Sequence, residues 1–441
     1  MNMRSRIAFM IAAVAMVAGG PTAPNVAEGA GNKSYEVWLV DQSNSNGKTY
    51  GGAIHIFSVD DLTAKDPATA QPTTILDLGD TVAALCVAST GVNPVRPHML
   101  VFNSTESHGA LSFVASGHVV FFDARTRAPL ACVRTEVGAG GARQAHAIWP
   151  TGDDRYLLVA NQNGKKFERI RTDYRTNTFL QEPAATLALY GNCVTPSGAP
   201  CESAGIRPDN APICPFTASD NGPAFTSLRG GGMLVVDWRT TPMAIVGEYD
   251  ISQVPANGCG FIEARGMIYG NGGGGTPANL DQFTVFRLPM TGYGTGLVNT
   301  PSAELLFDDG SGDRDAHGVG VTKHQRYVWV GDRDANVVEV FDARDGRHTG
   351  TFDLATPSLP SPTVDLFAST PDGKWMFMST RGPNPLSGDP HSSQGTSPGL
   401  LIVAVDKDGR EGSVHGHVAI SNLDSGGVER ADGHGIRLRA R

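Results

Sequence analysis

Short apolar runs separated by polar turns recur along this chain, and residues 315–354 show the pattern most clearly. In DAHGVGVTKHQRYVWVGDRDANVVEVFDARDGRHTGTFDL, the apolar runs fall at 318–321, 327–330, 337–341 and 349–354. Runs of this length between segments rich in Asp, Gly and Arg are typical of β-strands joined by tight turns. The segment therefore predicts four consecutive antiparallel strands.

The same order of strands and turns repeats through most of the chain. The clearest further copies lie at 96–136, 141–173 and 361–406, and weaker copies lie at 224–250 and 259–308. The first copy, over 35–79, has only three strands, and the last residues, DGHGIRLRAR, supply the missing one. Pairing of the two termini would close a ring and remove exposed sheet edges. The repeats thus predict an all-β fold: a seven-bladed β-propeller of four-stranded antiparallel blades.

Composition agrees with a large all-β domain. The 441 residues include 54 Gly and 28 Pro, and no long stretch has the 3.6-residue period of an amphipathic helix. The formal charge of −9 and the lack of a Lys/Arg cluster argue against nucleic-acid binding. We expect one propeller domain over residues 31–441, with an inserted Cys-rich segment at about 190–221.

The first 30 residues resemble a secretory signal peptide. Arg4 and Arg6 precede an apolar run over residues 7–18, and small residues and Pro follow it. No later run reaches the eighteen or so apolar residues of a transmembrane helix. These features predict a periplasmic or secreted protein without a transmembrane segment.

Six cysteines fit an exported protein with disulfides. Fifteen complete pairings are possible in principle. We favour Cys86 with Cys132, Cys193 with Cys201 and Cys214 with Cys259, the first because both of its cysteines are expected on outer strands of neighbouring repeats. A structural zinc site is the alternative, but the sequence has no CxxC pair.

The segments YVWVGDRDANVVEVFDARDG, STPDGKWMFMSTRG and FVASGHVVFFDAR resemble the YVTN-type, lactonase-like seven-bladed propellers, including YncE-like and surface-layer-like repeats. This resemblance covers nearly the whole mature chain. It implies the fold more strongly than a function, because propellers carry many unrelated activities.

Several predicted first strands begin with histidine. His146 and His317 each precede the aromatic residue that begins the next strand by ten residues, and Asp365 has the same spacing. His98 lies 48 residues before His146, just as His317 lies 48 before Asp365, and His434 begins the closing strand. Because first strands line a propeller's central channel, we expect these four histidines to converge near one mouth of it.

Convergent neutral imidazoles are ligands for Cu, Fe or Zn. The arrangement resembles, in geometry only, the non-haem iron centre of carotenoid-cleaving oxygenases and the copper centres of selenium-binding propellers. This hypothesis gives a metal-dependent oxidoreductase or oxygenase with His98, His146, His317 and His434 as ligands and Asp365 and Glu263 as possible partners of those ligands. Equally open is an interpretation in which the histidines only fill the channel rim.

Two other functions remain compatible with the sequence. One is a non-catalytic propeller that binds a protein, a glycan or a small molecule on one face. The other is a lactonase-like hydrolase with a small-molecule substrate. A calcium-dependent hydrolase would require oxygen ligands in the channel, because Ca²⁺ binds oxygen atoms, and the histidine pattern does not favour this.

Overall fold

Seven antiparallel sheets form the protein in the part of the chain described by the computed structural model, residues 34–273, 282–294, 300–386 and 394–441. The expected signal peptide, residues 1–30, lies outside the described residues. The described chain from Ser34 onward forms one compact unit. The all-β, seven-bladed fold predicted from the repeats is confirmed.

Each blade contains four strands in sequence order from the inner to the outer edge, except that the first blade takes its inner strand from the C-terminus. The first three blades are as follows: β29 (Gly433–Ala440), β1 (Tyr35–Asp41), β2 (Ala53–Ser58) and β3 (Thr74–Asp77) in the first; β4 (Pro97–Phe102), β5 (His108–Phe113), β6 (His118–Asp123) and β7 (Pro129–Arg134) in the second; β8 (Ala147–Pro150), β9 (Tyr156–Asn161), β10 (Lys166–Asp173) and β11 (Thr178–Gln181), with the short β12 (Leu187–Ala188) also on β10, in the third.

The other four blades are as follows: β13 (Pro212–Thr217), β14 (Ala224–Leu228), β15 (Met233–Asp237) and β16 (Ala244–Tyr249) in the fourth; β17 (Phe261–Ala264), β18 (Met267–Gly273), β19 (Phe283–Pro289) and β20 (Glu304–Asp309) in the fifth; β21 (Ala316–Val321), β22 (Tyr327–Asp332), β23 (Val337–Asp342) and β24 (His348–Asp353) in the sixth; β25 (Val364–Ser369), β26 (Trp375–Thr380), β27 (Gly399–Asp406) and β28 (Glu411–Ala419) in the seventh. Two helices, α1 (Val59–Leu62) and α2 (Thr81–Thr90), lie between strands near the first blade. Neither is long and apolar enough to cross a membrane, and the same holds for every helix in the described ranges.

An aspartate at the end of a strand fixes several of the turns that make the repeat visible. The Asp332 carboxylate accepts the backbone N–H groups of Asp334 and Ala335, each at 2.9 Å. The carboxylates of Asp123 and Asp342 accept N–H groups two residues further on in the same way. An Asp side chain that satisfies the backbone locally favours a tight turn over continuation of the strand.

The C-terminal strand closes the ring. β29 pairs antiparallel with β1, with Tyr35 opposite Ala440 and Leu39 opposite Ile436. The buried Glu36 carboxylate accepts hydrogen bonds from Arg439 and Arg441 on this closing segment. The termini therefore lock together through backbone pairing and charge, as the terminal repeats predicted.

Two local expectations need correction. The Cys-rich insertion ends before Pro212, because Pro212–Thr217 is the inner strand of the fourth blade. Cys86 lies on α2 rather than on an outer strand, and it is the buried face of this helix that brings it to Cys132 on β7. All three proposed pairings, Cys86–Cys132, Cys193–Cys201 and Cys214–Cys259, are nevertheless confirmed.

Candidate functional site

The inner strands share a backbone irregularity at their first residues. In the second, sixth and seventh blades the pairing with the next strand gains one extra residue directly after Pro97, Ala316 and Val364. The first blade has the same shift between Gly433 and Ile436. A bulge of this kind bends the strand and redirects a side chain. The residues placed in these bulges are His98, His317, Asp365 and His434.

A recurring hydrogen bond from the neighbouring blade holds the backbone of these positions. Ser112 Oγ donates to the carbonyl of His146 at 3.1 Å, and Ser379 Oγ donates to that of His434 at 2.6 Å. Asn271 Nδ2 donates to the carbonyl of His317 at 2.5 Å. Each donor lies on the second strand of the preceding blade, so blade packing fixes where each histidine stands.

The four imidazoles come together on the axis, as the 48-residue spacing predicted. The ring centroids of His98 and His434 are 3.9 Å apart, those of His98 and His146 are 4.6 Å apart, and those of His317 and His434 are 5.8 Å apart. Inner strands of successive blades contact one another here. Four rings from the first, second, third and sixth blades thus form one group, which we call the axial cluster.

Every ring of the axial cluster has its Nδ1 atom against an oxygen that can only accept a hydrogen bond. His98 Nδ1 lies 2.7 Å from Gln42 Oε1, and His146 Nδ1 lies 3.0 Å from the carbonyl of Ile213. His434 Nδ1 lies 2.5 Å from Asp365 Oδ2, and His317 Nδ1 lies 2.5 Å from the other carboxylate oxygen, Oδ1. Nδ1 is therefore the donor in these contacts, and in a neutral ring this leaves Nε2 as the lone-pair nitrogen.

Two of these lone-pair nitrogens face each other. The Nε2 atoms of His98 and His434 are 3.2 Å apart. Two lone pairs at this distance repel unless a positive species lies between them. The pair therefore favours a shared proton or a bound cation at this point.

Burial favours the neutral form of His98, His146 and His434. Loss of hydration lowers the pKa of His146 to about 3 and holds the pKa of His98 well below its ordinary value, with the neighbouring imidazoles adding to both effects. Burial also lowers the pKa of His434, although the Asp365 carboxylate opposes that shift. Neutral imidazoles at physiological pH are the form that accepts a proton or a metal ion.

Asp365 supplies the negative charge of the site. Burial alone would raise its pKa, but the imidazoles of His317 and His434 and the Arg381 guanidinium hold that pKa well below its usual range. Arg381 Nη1 donates to Asp365 at 2.6 Å, while its other nitrogens bind Asp432. A buried, ionised carboxylate is thus shared between two imidazoles and one arginine.

The spacing of the rings is wider than that of a formed metal centre. Within the described residues, no three of the four axial histidines bring a ring nitrogen each to within 4.8 Å of one another. The sets that do so are His146 with Cys214 and Cys259, and His118 with Cys86 and Cys132, and in both the cysteines are joined as disulfides. A metal held by all four imidazoles would require the rings to move inward.

Glu263 does not join the axial cluster. Its carboxylate accepts hydrogen bonds from the backbone and hydroxyl of Ser219 in the neighbouring blade, at 2.8 and 2.9 Å. Arg265, two residues further along, contacts Gln325. The structure therefore does not make Glu263 a partner of the axial histidines, because its hydrogen bonds are to the preceding blade.

Sequence reasoning missed several residues of the site. Gln42 directly follows the second strand of its blade, as Gln162 and Arg381 follow theirs, and Ile213 contributes only a carbonyl oxygen. Ser112 and Ser379 hold corresponding places on second strands, so the repeat itself carried a signal that could have identified them. The position of Cys214 on an inner strand could not be predicted, because its strand directly follows the Cys-rich segment and was assigned to it.

The seven sheets around this channel define a seven-bladed β-propeller. No family model matches the chain, and no curated protein matches it. Among solved structures, it is similar to the periplasmic gluconolactonase PpgL of Pseudomonas aeruginosa, with a TM-score of 0.54, 13% identity and coverage of 91% of this chain and 99% of that one. A Bacteroides fragilis protein provisionally described as a 6-phosphogluconolactonase gives a TM-score of 0.58 at 12% identity, with 93% and 98% coverage. At such identities the likeness shows the fold alone.

Proposed function

We propose that this protein is an exported hydrolase of lactones or related cyclic esters, and that the axial cluster is its catalytic site. The observation that carries the proposal is the shared Asp365 carboxylate, which engages the Nδ1 atoms of His317 and His434 and turns Nε2 of His317 away from the carboxylate. The lactonase descriptions of similarly folded proteins support the reaction class. The three disulfides and the periplasmic description of one neighbour support export.

His317 is the general base in this proposal. Its side chain keeps 11% of its surface exposed, whereas that of His434 keeps 3%, so His317 is the Asp365-bound ring that a substrate reaches more easily. Nε2 of His317 takes a proton from water as the water oxygen attacks the lactone carbonyl carbon. Asp365 orients the ring and stabilises the imidazolium that forms. The ring C–O bond then breaks, and the leaving oxygen takes the proton back from His317.

Hydrolysis of glucono-δ-lactone and a panel of other δ- and γ-lactones, followed by pH-stat titration, tests this role. General-base catalysis contributes about 10²–10⁴-fold in rate, so His317→Gln and Asp365→Asn should each lower kcat about 100-fold or more. His118→Gln is the matched control, because His118 is also buried but lies on the outer part of the second blade. If wild type and His317→Gln hydrolysed the lactones at equal rates, His317 would not be the general base.

A transition-metal centre at the same cluster is the second candidate, and the 3.2 Å approach of two lone-pair nitrogens favours it. Cu, Fe or Zn would be held by Nε2 of His98, His146, His317 and His434, with Asp365 and Gln42 fixing ring orientation. Such an ion would supply a Lewis acid for hydrolysis or a redox centre for an oxidoreductase. The comparisons lend no support to the redox activity.

Elemental analysis of protein purified without an affinity tag separates the two candidates. Near-stoichiometric Cu, Fe or Zn that is lost in His98→Ala/His434→Ala supports the metal centre. Lactone hydrolysis by metal-free protein supports the general-base mechanism. Folded protein with neither metal nor hydrolysis would favour a propeller that binds a protein, glycan or small molecule without catalysis.

A further inference from the structure

The Cys214–Cys259 disulfide lies at the axis rather than on the surface. Cys214 is on the inner strand β13 of the fourth blade, and Cys259 immediately precedes the inner strand β17 of the fifth. The two residues keep only 2% and 8% of their surface exposed. The disulfide thus links the beginnings of the fourth and fifth blades, neither of which contributes a histidine to the axial cluster.

His146 places an imidazole directly beside this disulfide. One ring nitrogen of His146 and the Sγ atoms of Cys214 and Cys259 all lie within 4.8 Å of one another. The ring is anchored next to the disulfide, since its Nδ1 bonds to the carbonyl of Ile213, the residue before Cys214. The seven inner strands therefore present three imidazoles, then two sulfurs, then an imidazole and a carboxylate around the axis.

The other disulfides do not share this setting. Cys193–Cys201 closes a loop with a sequence separation of eight residues, and no imidazole is grouped with it in the described structure. Cys86–Cys132 lies near His118, but both ring nitrogens of His118 are occupied by hydroxyl groups, Thr90 Oγ1 at 2.8 Å and Ser116 Oγ at 2.9 Å. Only the Cys214–Cys259 pair combines a sulfur pair with an imidazole of the axial cluster.

We propose that Cys214, Cys259 and His146 form a redox-gated binding site for a thiophilic metal ion such as Zn²⁺ or Cu⁺. A dithiol reductant donates two electrons and two protons, the S–S bond breaks, and the reductant becomes a disulfide. The two thiols release their protons when the ion binds, so two thiolates and one imidazole surround it. Thiolate and imidazole are the ligand types that Zn²⁺ and Cu⁺ select. A disulfide oxidant then accepts two electrons from the two thiolates and becomes a dithiol with two protons from water, so the Cys214–Cys259 bond re-forms and the ion is released.

This inference is independent of the proposed hydrolase activity. The hydrolytic role concerns His317 and Asp365, whereas the gated site uses the two sulfurs and His146. Reduction and metal binding can occur in a protein that hydrolyses no lactone. Conversely, a lactonase with a purely structural disulfide would leave the hydrolase proposal intact.

Co²⁺ is a suitable probe, because its bonds to thiolate give a sulfur-to-metal charge-transfer absorption that imidazole-only sites lack. Protein is reduced with a phosphine, which becomes a phosphine oxide with oxygen from water, and the phosphine is removed by anaerobic gel filtration. We expect the reduced protein to gain about one equivalent of thiolate-bound Co²⁺ and the oxidised protein to gain none. Zn²⁺ added afterwards should displace the Co²⁺ and abolish the band.

Variants locate the site. Cys214→Ser/Cys259→Ser should remove the sulfur-to-Co²⁺ absorption band, whereas Cys193→Ser/Cys201→Ser should leave it intact. His146→Gln should weaken Co²⁺ binding about 10-fold or more, because loss of a residue that only hydrogen-bonds to a metal ligand already has an effect of this size. If Cys214→Ser/Cys259→Ser fails to fold, the Co²⁺ affinity of His146→Gln tests the site instead, because this variant keeps the Cys214–Cys259 disulfide. A reduced wild type without the band, a band that persists in Cys214→Ser/Cys259→Ser, or unaltered affinity in His146→Gln would overturn the proposal.

Discussion

Four histidines gain their chemistry from partners that lie far away in sequence. The Nδ1 atoms meet Gln42, Ile213 and Asp365, and these acceptors come from three different blades. Because the acceptors set which nitrogen carries the proton, the same four residues without them would present mixed tautomers. The reactive property of the site thus resides in the pairing of each ring with its acceptor.

Burial of neutral imidazoles makes stability depend on pH. The pKa of His146 is about 3 in the folded protein against an ordinary value of 6.5, so between these pH values the unfolded chain binds the extra proton. The free energy of unfolding therefore falls as the pH decreases through this window, by up to about 1.4 kcal/mol per pH unit for one such group. We expect His146→Gln to flatten the slope between pH 6 and pH 4 by about this amount.

Urea unfolding at a series of pH values measures this slope, with His324→Asn as the control because His324 is exposed. The control should keep the wild-type slope. Equal slopes in wild type and His146→Gln would show that His146 is already protonated in the folded protein.

Residue types at the axis could be predicted from sequence, but their electrostatics could not. The 48-residue spacing places His98, His146, His317 and Asp365 at equal depth because blades repeat. Gln42 and Arg381 occupy the same repeat position after a second strand, and Ile213 lies in an inner-strand bulge, but the spacing does not reveal which groups they contact. These partners become visible only when the blades are packed.

At the level of strands and helices, the inner strands carry more of the stability than the outer ones. Ile436 on β29 is completely buried, whereas Leu305 on the outer strand β20 keeps 44% of its surface exposed. We expect Ile436→Ala to lower the free energy of unfolding by about 2–5 kcal/mol, because it leaves a cavity at the closing strand. Leu305→Ala should change it by less than about 0.5 kcal/mol.

Urea unfolding of the two variants, followed by tryptophan fluorescence, gives the comparison directly. Both variants remove the same number of carbon atoms from a branched aliphatic side chain, so burial is the main difference between the two sites. Equal losses of stability would mean that the C-terminal strand does not close the ring as described.

Helix α2 is tied to the second blade by a covalent link. Cys86 on the helix bonds to Cys132 on β7 across 46 residues of sequence. A link across a loop of this length restricts the unfolded chain and contributes about 2–4 kcal/mol. Cys86→Ser/Cys132→Ser should lower the free energy of unfolding by that amount in urea titrations, while an unchanged midpoint would show that α2 and the second blade stay associated without the link.

Elements with regular patterns could be predicted from the sequence, and irregular ones could not. Blades such as 315–354 were evident because apolar runs and Asp-containing turns alternate along them. β13, with the sequence PICPFT, contains two prolines and follows a Cys-rich loop, so it looked like part of an insertion. α2 was missed because its TVAALCVAST sequence is apolar on more than one side and lacks the polar face of a surface helix.

At the scale of the whole molecule, closure of the ring brings residues 98 and 434 into contact. Their Nε2 atoms, separated by 336 residues of sequence, lie 3.2 Å apart because β29 completes the first blade beside the second. Similar folds at 10–13% identity show that this architecture tolerates wide sequence change.

Nitrogen NMR of the protein with ¹⁵N-labelled histidine tests the central claim most directly, because the chemical shifts of Nδ1 and Nε2 report which nitrogen of each ring is protonated. Single His→Gln variants assign the four axial rings among the twelve histidines of the chain. At neutral pH in metal-free protein, we predict a proton on Nδ1 of His98, His146, His317 and His434, and at most one proton shared among their four Nε2 atoms. Rings protonated on Nε2 with bare Nδ1 atoms would contradict the account.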